Sequence, residues 1–453
     1  MVLSAKFVFI ILFLLIITSV PLGISVIYPL AVGLTLLVVN SVHKGFQLKS
    51  VLRMVLQGGV KSLIILKIFI LIGAIIAVWM AGGTIGWIVY YGIKLINPTY
   101  FILSAFLISS LVSFLLGTSF GTIGTIGITL IILARSGNVD INVAAGAIIA
   151  GAYFGDRCSP MSSSANLVAA VTDTRLYVNI GNMMRTSIVP FLLTVVAYTG
   201  LSIMNPLIIQ GEDISNEILK NFDITFWVSL PAIIVLLLVL IRVDVKISML
   251  CSIVAAILVA IIFQHRTILD MAKAIWSGYT MVGESPLRTI IQGGGIQSMI
   301  KVAIIVFISS AYSGVFEGTG LLKELDGVIE KISLRHGAFP VTLLAATITS
   351  FFGATQTLSI ILTHQIVKKT YGNDVSGRER LAVTLENTSV VIAPLVPWNI
   401  AGAVPAAALA VGFGYIPYAC YLYLLPAFQL LCNIRPVLRA KGQLEKFLDK
   451  SHR

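Results

Sequence analysis

Long apolar runs separated by short polar segments extend along almost the whole chain. A helix needs about 20 apolar residues to cross the hydrocarbon core of a bilayer. On this basis we expect ten crossings, near residues 7–20, 24–40, 62–81, 142–172, 178–204, 224–241, 247–264, 296–316, 381–411 and 413–432. Two further segments, 101–134 and 338–371, each contain two apolar halves around a turn rich in Gly, Thr and Ser. We predict that both are re-entrant helical hairpins, although two full crossings in each would give fourteen in total.

The charges between these runs predict the orientation of the chain. Basic residues concentrate in 44–61, 242–246, 368–380 and the tail, whereas 205–223 carries four acidic residues and one lysine. Because Lys and Arg remain on the cytoplasmic side, both termini are predicted to be cytoplasmic and the acidic loop external. The run 7–20 also resembles a signal peptide, but no A-x-A cleavage site follows it, so we expect an uncleaved first helix.

Composition supports a membrane protein and excludes several other classes. The chain of 453 residues is 57% apolar and only 11% charged, with a mean hydropathy of +0.99. A soluble protein carries about 25% charge, so lipid is the expected surroundings, and disordered, collagen-like and nucleic-acid-binding proteins are excluded. The net charge of +12 is explained by membrane orientation. The four cysteines form no C-x-x-C pair, and no cofactor is expected.

An internal repeat indicates how the chain is organised. Gln57-Gly58-Gly59 recurs 235 residues later at Gln292-Gly293-Gly294, and Gly83-Thr84 recurs at the same spacing. The third and eighth crossings correspond, so the two copies are expected to have opposite orientations, as in many secondary transporters. We predict an all-α polytopic membrane protein with an inverted repeat, each copy having five transmembrane helices plus a hairpin. The predicted units are a first repeat (1–204), an external acidic loop (205–223), a second repeat (224–432) and a basic cytoplasmic tail (433–453).

Polar residues interrupt two of the apolar segments at corresponding places, 151–166 and 386–402. Polar groups and prolines at membrane depth are tolerated where they line a protein-enclosed cavity, and oxygen-rich side chains suit hard cations. The candidate ion- and substrate-binding residues are Asp156, Glu386, Asn387, Thr118, Ser119, Ser159, Ser162, Asn166, Gln356, Thr388 and Asn399. Asp156 and Glu386 are the candidate Na⁺ ligands. The structural alternatives are hydroxyls bonded to their own helix and an ion pair between Asp156 and Arg157.

Two other chemical signals were weighed. The turn 117–121 matches G-x-S-x-G, but apolar segments flank it on both sides, which argues against a nucleophile elbow. All five histidines lie in or near predicted loops or tails, so no intramembrane metal cluster is expected. His364, in the second hairpin, is the histidine that could relay protons.

The interrupted segments and the first hairpin turn resemble the NhaC-type sodium/proton antiporter family. The motifs that carry the resemblance are 118–122 (T-S-F-G-T), 151–160 (G-A-Y-F-G-D-R-C-S-P), Asn166, and the L-E-N to P-L-V-P-W-N segment 385–399. The resemblance implies a scaffold, a moving transport region and exchange of Na⁺ for protons, in some relatives coupled to organic acids. This chain departs from the pattern at Ser163 and Thr355, where relatives commonly carry Asp, and keeps a neutral Asn387 after Glu386.

The leading hypothesis is a secondary active antiporter of the cytoplasmic membrane, in which Na⁺ and protons compete for the two carboxylates. The alternative is sodium- or proton-coupled transport of an amino acid or small organic acid, because the missing acids leave room for a neutral or zwitterionic solute. An enzyme and a channel are disfavoured by the motif context and the repeat. Na⁺, H⁺ and membrane lipid are the expected partners, and a small organic solute and a second copy of the chain remain open.

Overall fold

A computed structural model describes residues 27–95, 97–207, 211–241, 243–281, 291–319, 337–353 and 355–433, together with Leu15, Thr18, Ser19 and Ser25. Apart from an isolated bridge between Tyr279 and Gly293, these residues contain no β-structure. The predicted first crossing lies almost entirely outside the described residues, and so does the basic tail, with its predicted position in the cytoplasm.

The helices follow one another with short connections. They are α1 (Ile27–His43), α2 (Leu48–Lys61), α3 (Leu63–Ala81), α4 (Thr84–Leu95), α5 (Phe101–Leu116), α6 (Ser119–Ser136), α7 (Ile141–Cys158), α8 (Ser163–Thr172), α9 (Leu176–Met204), α10 (Gly211–Asn221), α11 (Leu230–Leu240), α12 (Val245–Ile262), α13 (Ile268–Ser277), α14 (Ile296–Thr319), α15 (Ala338–Phe352), α16 (Gln356–Tyr371), α17 (Val375–Ile392), α18 (Ile400–Ala408) and α19 (Cys420–Asn433). Helix α6 includes a π-helical segment, Ile123–Gly127.

Several helices have the length and apolar composition of membrane crossings. By themselves these are Pro98–Leu116, Ser119–Ser136, Leu176–Met204 and Ile296–Phe316. Two bent pairs qualify when each is counted as one span, Leu66–Ala81 with Thr84–Gly92 and Val375–Leu395 with Ile400–Ala408, bent by 73° and 53°. The all-helical, multi-pass architecture is therefore confirmed. Both halves of the first hairpin are long enough to cross, which favours the alternative of two full crossings there over a re-entrant hairpin.

Both predicted interruptions are present. Helix α7 ends at Cys158, Ser159 is extended (φ −83°, ψ 137°), and α8 begins four residues later at Ser163. Helix α17 ends at Ile392 and passes through a 3₁₀ turn, Ala393–Leu395, and an extended Val396 before α18 begins. Prolines at both places remove a backbone donor and clash with the preceding turn, which favours an interruption of the helix.

Some helices lie where the sequence analysis placed loops, namely α2, α4, α10 and α13. They are too short or too amphipathic to stand out as apolar runs of membrane-spanning length. Helix α4 begins after a sharp turn at Gly83, whose φ of +77° lies in the left-handed region that glycine tolerates. Helix α2 packs against α14 at Gly58, where an added Cβ would lie 2.4 Å from the carbonyl oxygen of Ser310.

The helices on either side of the interruptions follow the same order in both parts of the chain. Helices α5, α6 and α7 are matched in order and similar length by α15, α16 and α17. Thr118 caps α6 and Thr355 caps α16, while Asp140 caps α7 and Asp374 caps α17. These parallels agree with a repeat, and the opposite orientation of the two copies stays a prediction.

Close packing between α5 and α7 fixes the start of the first interruption. A Cβ on Gly151 would lie 2.5 Å from the Phe106 carbonyl oxygen, and one on Gly155 would lie 2.2 Å from the backbone nitrogen of Phe114. Ser113 also donates a hydrogen bond to the Ala152 carbonyl. Only glycine permits so close a contact between α7 and α5. The last turn of α7 therefore lies directly against the turn between α5 and α6.

Candidate functional site

Asp156 lies in the last turn of α7 and is only 4% exposed. Its Oδ2 accepts a hydrogen bond of 3.2 Å from the hydroxyl of Ser119, and its Oδ1 accepts one of 3.1 Å from Ser162. Ser119 is the first residue of α6, and Ser162 is the N-cap of α8. Two helix N-termini, the positive ends of their dipoles, therefore begin beside this carboxyl group.

The second hairpin reaches the same carboxyl group. Gln356, the first residue of α16, lies against Asp156, although its Nε2 makes no hydrogen bond of normal geometry with any described residue. Ser119 and Gln356 come from turns more than 200 residues apart, so their meeting depends entirely on tertiary packing. The sequence analysis named both residues and did not predict that they share Asp156.

Glu386 lies in the middle of α17 with no exposed surface. Neither of its carboxyl oxygens has a hydrogen-bond partner among the described residues. It lies within electrostatic range of both Arg157 and Asp156. An ionised carboxylate left without partners in a buried site is costly, so this group requires a proton or a cation.

Arg157 is a fully buried charged residue that the sequence analysis considered only as an ion-pair partner for Asp156. In the structure the guanidinium of Arg157 points away from Asp156 and toward Asn387. Its Nε and Nη2 both donate to the side-chain oxygen of Asn387, and its Nη1 donates to Ser187 and Tyr421. Among the described residues no carboxylate lies within ion-pair distance of it. The sequence did contain a sign of this buried charge, because an arginine rarely occurs in the middle of an apolar segment without partners.

Three of the predicted site residues stabilise the local fold instead of approaching either carboxyl group. The hydroxyl of Ser159 accepts from the Met161 backbone, and Thr388 donates to the carbonyl of Thr384 in its own helix. Asn166 is exposed and donates to the Ser162 carbonyl. The Thr388 hydroxyl is thus bonded to its own helix, which is the structural alternative given above, and the Ser159 hydroxyl is bonded to the neighbouring backbone.

Asn399 and Thr118 act mainly as helix caps. Asn399 accepts from the Ala401 backbone at the start of α18 and donates to the carbonyls of Ser350 and Gly353, which joins α18 to the end of α15. Thr118 accepts weakly from Gly121 at 3.4 Å. It also lines a small cavity of about 160 Å³, whose wall includes Asp244 and Lys246.

A cluster of buried hydroxyls lies one turn beyond Glu386. The Thr363 hydroxyl is 2.6 Å from that of Thr349 and accepts a hydrogen bond of 3.1 Å from Ser389, and Ser359 bonds Ser350 at 2.7 Å. These hydroxyls join α15, α16 and α17 without any charged group. None of these five residues is among the candidate ion- and substrate-binding residues of the sequence analysis.

A larger cavity of about 730 Å³ opens beside α17 and α9. Its wall includes the exposed Arg185 and Arg380, and it also includes Thr186 and the almost fully buried Asn387. The last two both accept hydrogen bonds from Arg157. The cavity is large enough for a small organic molecule as well as for water.

The described residues contain no group of three or more His, Cys, Asp or Glu side chains that could hold a metal ion in the usual way. His364, the proposed proton relay, is partly buried on α16. Ser119, the serine of the G-x-S-x-G match, lies at the start of a helix and donates to Asp156. The candidate site thus consists of two separate carboxyl groups, one guanidinium and many neutral oxygens.

The region that contains the candidate site is similar in sequence to known membrane transport proteins. The sequence pattern described as the Na⁺/H⁺ antiporter family matches residues 151–432, which include Asp156, Arg157 and Glu386. The chain is 31% identical over 419 residues to the Na(+)/H(+) antiporter NhaC of Bacillus subtilis, covering 89% of this chain and 91% of that relative. It is 28% identical over 384 residues to the malate-2H(+)/Na(+)-lactate antiporter of the same organism, covering 83% and 82%. It is 27% identical over 363 residues to the arginine/ornithine antiporter ArcD of Halobacterium salinarum, covering 78% and 74%.

Proposed function

Because this chain belongs to the Na⁺/H⁺ antiporter family, we propose that it exchanges Na⁺ for protons across the cytoplasmic membrane, with the two ions competing for Asp156 and Glu386. It is a multi-pass membrane antiporter and not an enzyme. The resemblance seen in the motifs is therefore confirmed at the level of the family. The mechanism at the two carboxyl groups is the part that we propose.

The observation that carries the proposal is the state of Glu386. Its two oxygens are buried and have no hydrogen-bond partner among the described residues. A carboxyl group in that environment is stable when it holds a proton or contacts a cation. Since one oxygen pair cannot do both fully at once, binding of Na⁺ displaces the proton and binding of a proton releases Na⁺.

Asp156 supplies the second position. The hydroxyls of Ser119 and Ser162 orient its carboxyl group, and Gln356 adds an amide from the second hairpin. Na⁺ prefers oxygen ligands, and the oxygens of these side chains offer them. The turns of both hairpins reach one carboxyl group, so a relative movement of the hairpins would change access to it.

The same proposal includes the arrangement of the chain. Units 1–204 and 224–432 are two inverted copies, segment 205–223 faces outside, and the termini, including the tail 433–453, lie in the cytoplasm. The matched order of α5–α7 and α15–α17 supports this repeat, and the loop charges support the orientation.

Glu386→Gln is the test, because it keeps the shape of the side chain and removes both its charge and its titratable proton. In proteoliposomes with an imposed Na⁺ gradient, the wild type is expected to move protons and the variant is not. Saturating Na⁺ should also raise the melting temperature of the detergent-solubilised wild type, since a ligand at 100 times its Kd stabilises by about 2.7 kcal/mol. The variant should lose that stabilisation.

The control variant is Thr384→Val, which changes the same helix two residues before the carboxylate and removes a hydroxyl that donates to the Arg380 carbonyl of that helix. It should retain the Na⁺-dependent proton flux. Normal flux and normal Na⁺ stabilisation in Glu386→Gln would show that this carboxylate does not bind the transported ions.

The second candidate function is coupled transport of an amino acid or small organic acid. The cavity of about 730 Å³, which ends at Asn387, favours it because a bare ion needs far less room. Relatives named as malate/lactate and arginine/ornithine antiporters agree with it. Uptake of labelled lactate, malate, arginine and ornithine, with and without a Na⁺ gradient, separates the candidates. Uptake of none of these solutes, together with Na⁺-driven proton flux, would reject this second function.

A further inference from the structure

Of the described residues, only three charged side chains are buried, and all three belong to the site. Asp156 is 4% exposed, and Arg157 and Glu386 are not exposed at all. With both acids ionised, the formal charge of the group is −1. Because a net charge is costly in a low-dielectric interior, a single monovalent cation is the load that neutralises this group.

The positive member of the group is fixed. A guanidinium is not deprotonated in proteins, so Arg157 contributes +1 in every state of the transport cycle. Its hydrogen-bond acceptors are neutral groups on its own helix and three others, including Asn387, Ser187 and Tyr421. These bonds hold the guanidinium in position and leave its charge uncancelled, and that charge acts on Glu386.

We propose that Arg157 sets the charge stoichiometry of transport at one Na⁺ for one proton, so that exchange moves no net charge. The proposal rests on the proposed function and specifies its stoichiometry. When the site holds Na⁺, two carboxylates are balanced by Na⁺ and Arg157. When it holds a proton, one carboxyl group is neutral and Arg157 balances the other. Both loaded states are neutral and can move across the membrane field at the same cost.

Asn387 offers a way to change the balance without removing Arg157. Its side-chain oxygen already accepts two bonds from the guanidinium. Asn387→Asp keeps that geometry and adds one negative charge, so the ionised group carries −2. One Na⁺ then leaves −1, whereas two protons give zero. Because Na⁺ and protons compete for the same oxygens, the Na⁺ load keeps this charge, so the two loaded states differ in charge and exchange by this variant is slower and sensitive to membrane potential.

The experiment uses the full chain in proteoliposomes with the potential set by K⁺ and valinomycin. The final proton gradient supported by a fixed Na⁺ gradient is measured at zero potential and at about 100 mV. Movement of one uncompensated charge through about 100 mV shifts the equilibrium about 50-fold. We expect no shift in the wild type and, because two protons share the effect, a change of about sevenfold in the final proton gradient in Asn387→Asp.

Two further variants make the test specific. Asn182→Asp is the same chemical change on α9, in the wall of the large cavity, where the side chain is partly exposed to water and outside the buried group. It should behave as the wild type. Arg157→Lys retains the positive charge without the planar guanidinium, so exchange should be slower and still insensitive to potential.

The outcomes separate this inference from the proposed function. Absence of any Na⁺-driven proton flux in the wild type would reject antiport itself, and this inference with it. Flux that shifts with potential in the wild type would overturn the one-for-one stoichiometry and leave antiport intact. A folded Asn387→Asp variant that exchanges ions without any effect of potential would show that Arg157 does not set the charge balance.

Discussion

Asp156→Asn is expected to abolish Na⁺-driven proton transport while the protein still folds and inserts. Asparagine has nearly the same shape, and it can still accept a hydrogen bond from Ser119 or Ser162. A hydroxyl bond to a charged acceptor contributes about 1.5–3 kcal/mol and one to a neutral acceptor about 0.5–1.5 kcal/mol. The two weakened bonds therefore cost about 2–3 kcal/mol, which the easier burial of a neutral group partly offsets.

The effect on ion binding is larger. A unit charge at about 4 Å contributes about 4 kcal/mol at an effective dielectric constant of about 20, which corresponds to roughly a thousand-fold in affinity. Without the aspartate, Glu386 and Arg157 already balance each other, so bound Na⁺ would leave the site with a net positive charge. Transport should therefore fall to the level of empty liposomes.

The assay is Na⁺-driven change of internal pH in proteoliposomes across several pH values, together with size-exclusion chromatography to verify folding. Ser163→Asp is a useful companion, because the resemblance to the NhaC-type family implies an acid at this position, and the structure places Ser163 at the exposed start of α8. A well-folded Asp156→Asn protein with wild-type flux and an unchanged pH profile would refute the assignment of this residue.

Three further predictions follow from the packing and the topology. Gly155→Ala should lower stability by about 1–3 kcal/mol or more, because its Cβ would overlap backbone atoms of α5, whereas Gly181→Ala, with nothing within 4 Å, should have no such effect in thermal unfolding. Asn399→Ala should lower stability by about 2 kcal/mol through lost capping and two unpaired carbonyls, and the exposed Asn221→Ala should not. In a background without native cysteines, Glu212→Cys should react with an impermeant label on intact cells and Arg378→Cys should not; the reverse pattern would invert the topology.

The interruptions could be predicted from sequence because their causes are local. Pro160 and Pro394 each remove a backbone donor and disfavour a continuous helix, and polar residues beside them mark a site that cannot face lipid. The membrane class could likewise be predicted from composition, because composition does not depend on which residues are in contact in the folded protein. Helices α2 and α13 were missed because their apolar positions form a face of the helix and do not form a continuous run.

The contacts of the site depend on packing between distant segments, and that part was not predictable. No local pattern indicates that Gln356 reaches Asp156, or that Arg157 turns away from its neighbour toward Asn387. Successive residues on a helix point about 100° apart, so adjacency in sequence was a poor argument for an Asp156–Arg157 ion pair. For the same reason, Asn387 accepts hydrogen bonds from Arg157, whereas the adjacent Glu386 points elsewhere.

The two carboxyl groups are therefore unequal, and the inequality indicates a division of work. Asp156 is held by two hydroxyls and lies beside two helix N-termini, which orient its oxygens and favour its ionised form more than the surroundings of Glu386 do. Glu386 has no such support, and the distant charge of Arg157 is the stabilisation that the described residues give it. The position without support is the one that an ion must fill before the site can move. We therefore expect Glu386 to control when the exchange step occurs, and Asp156 to hold the competing ion in a fixed position.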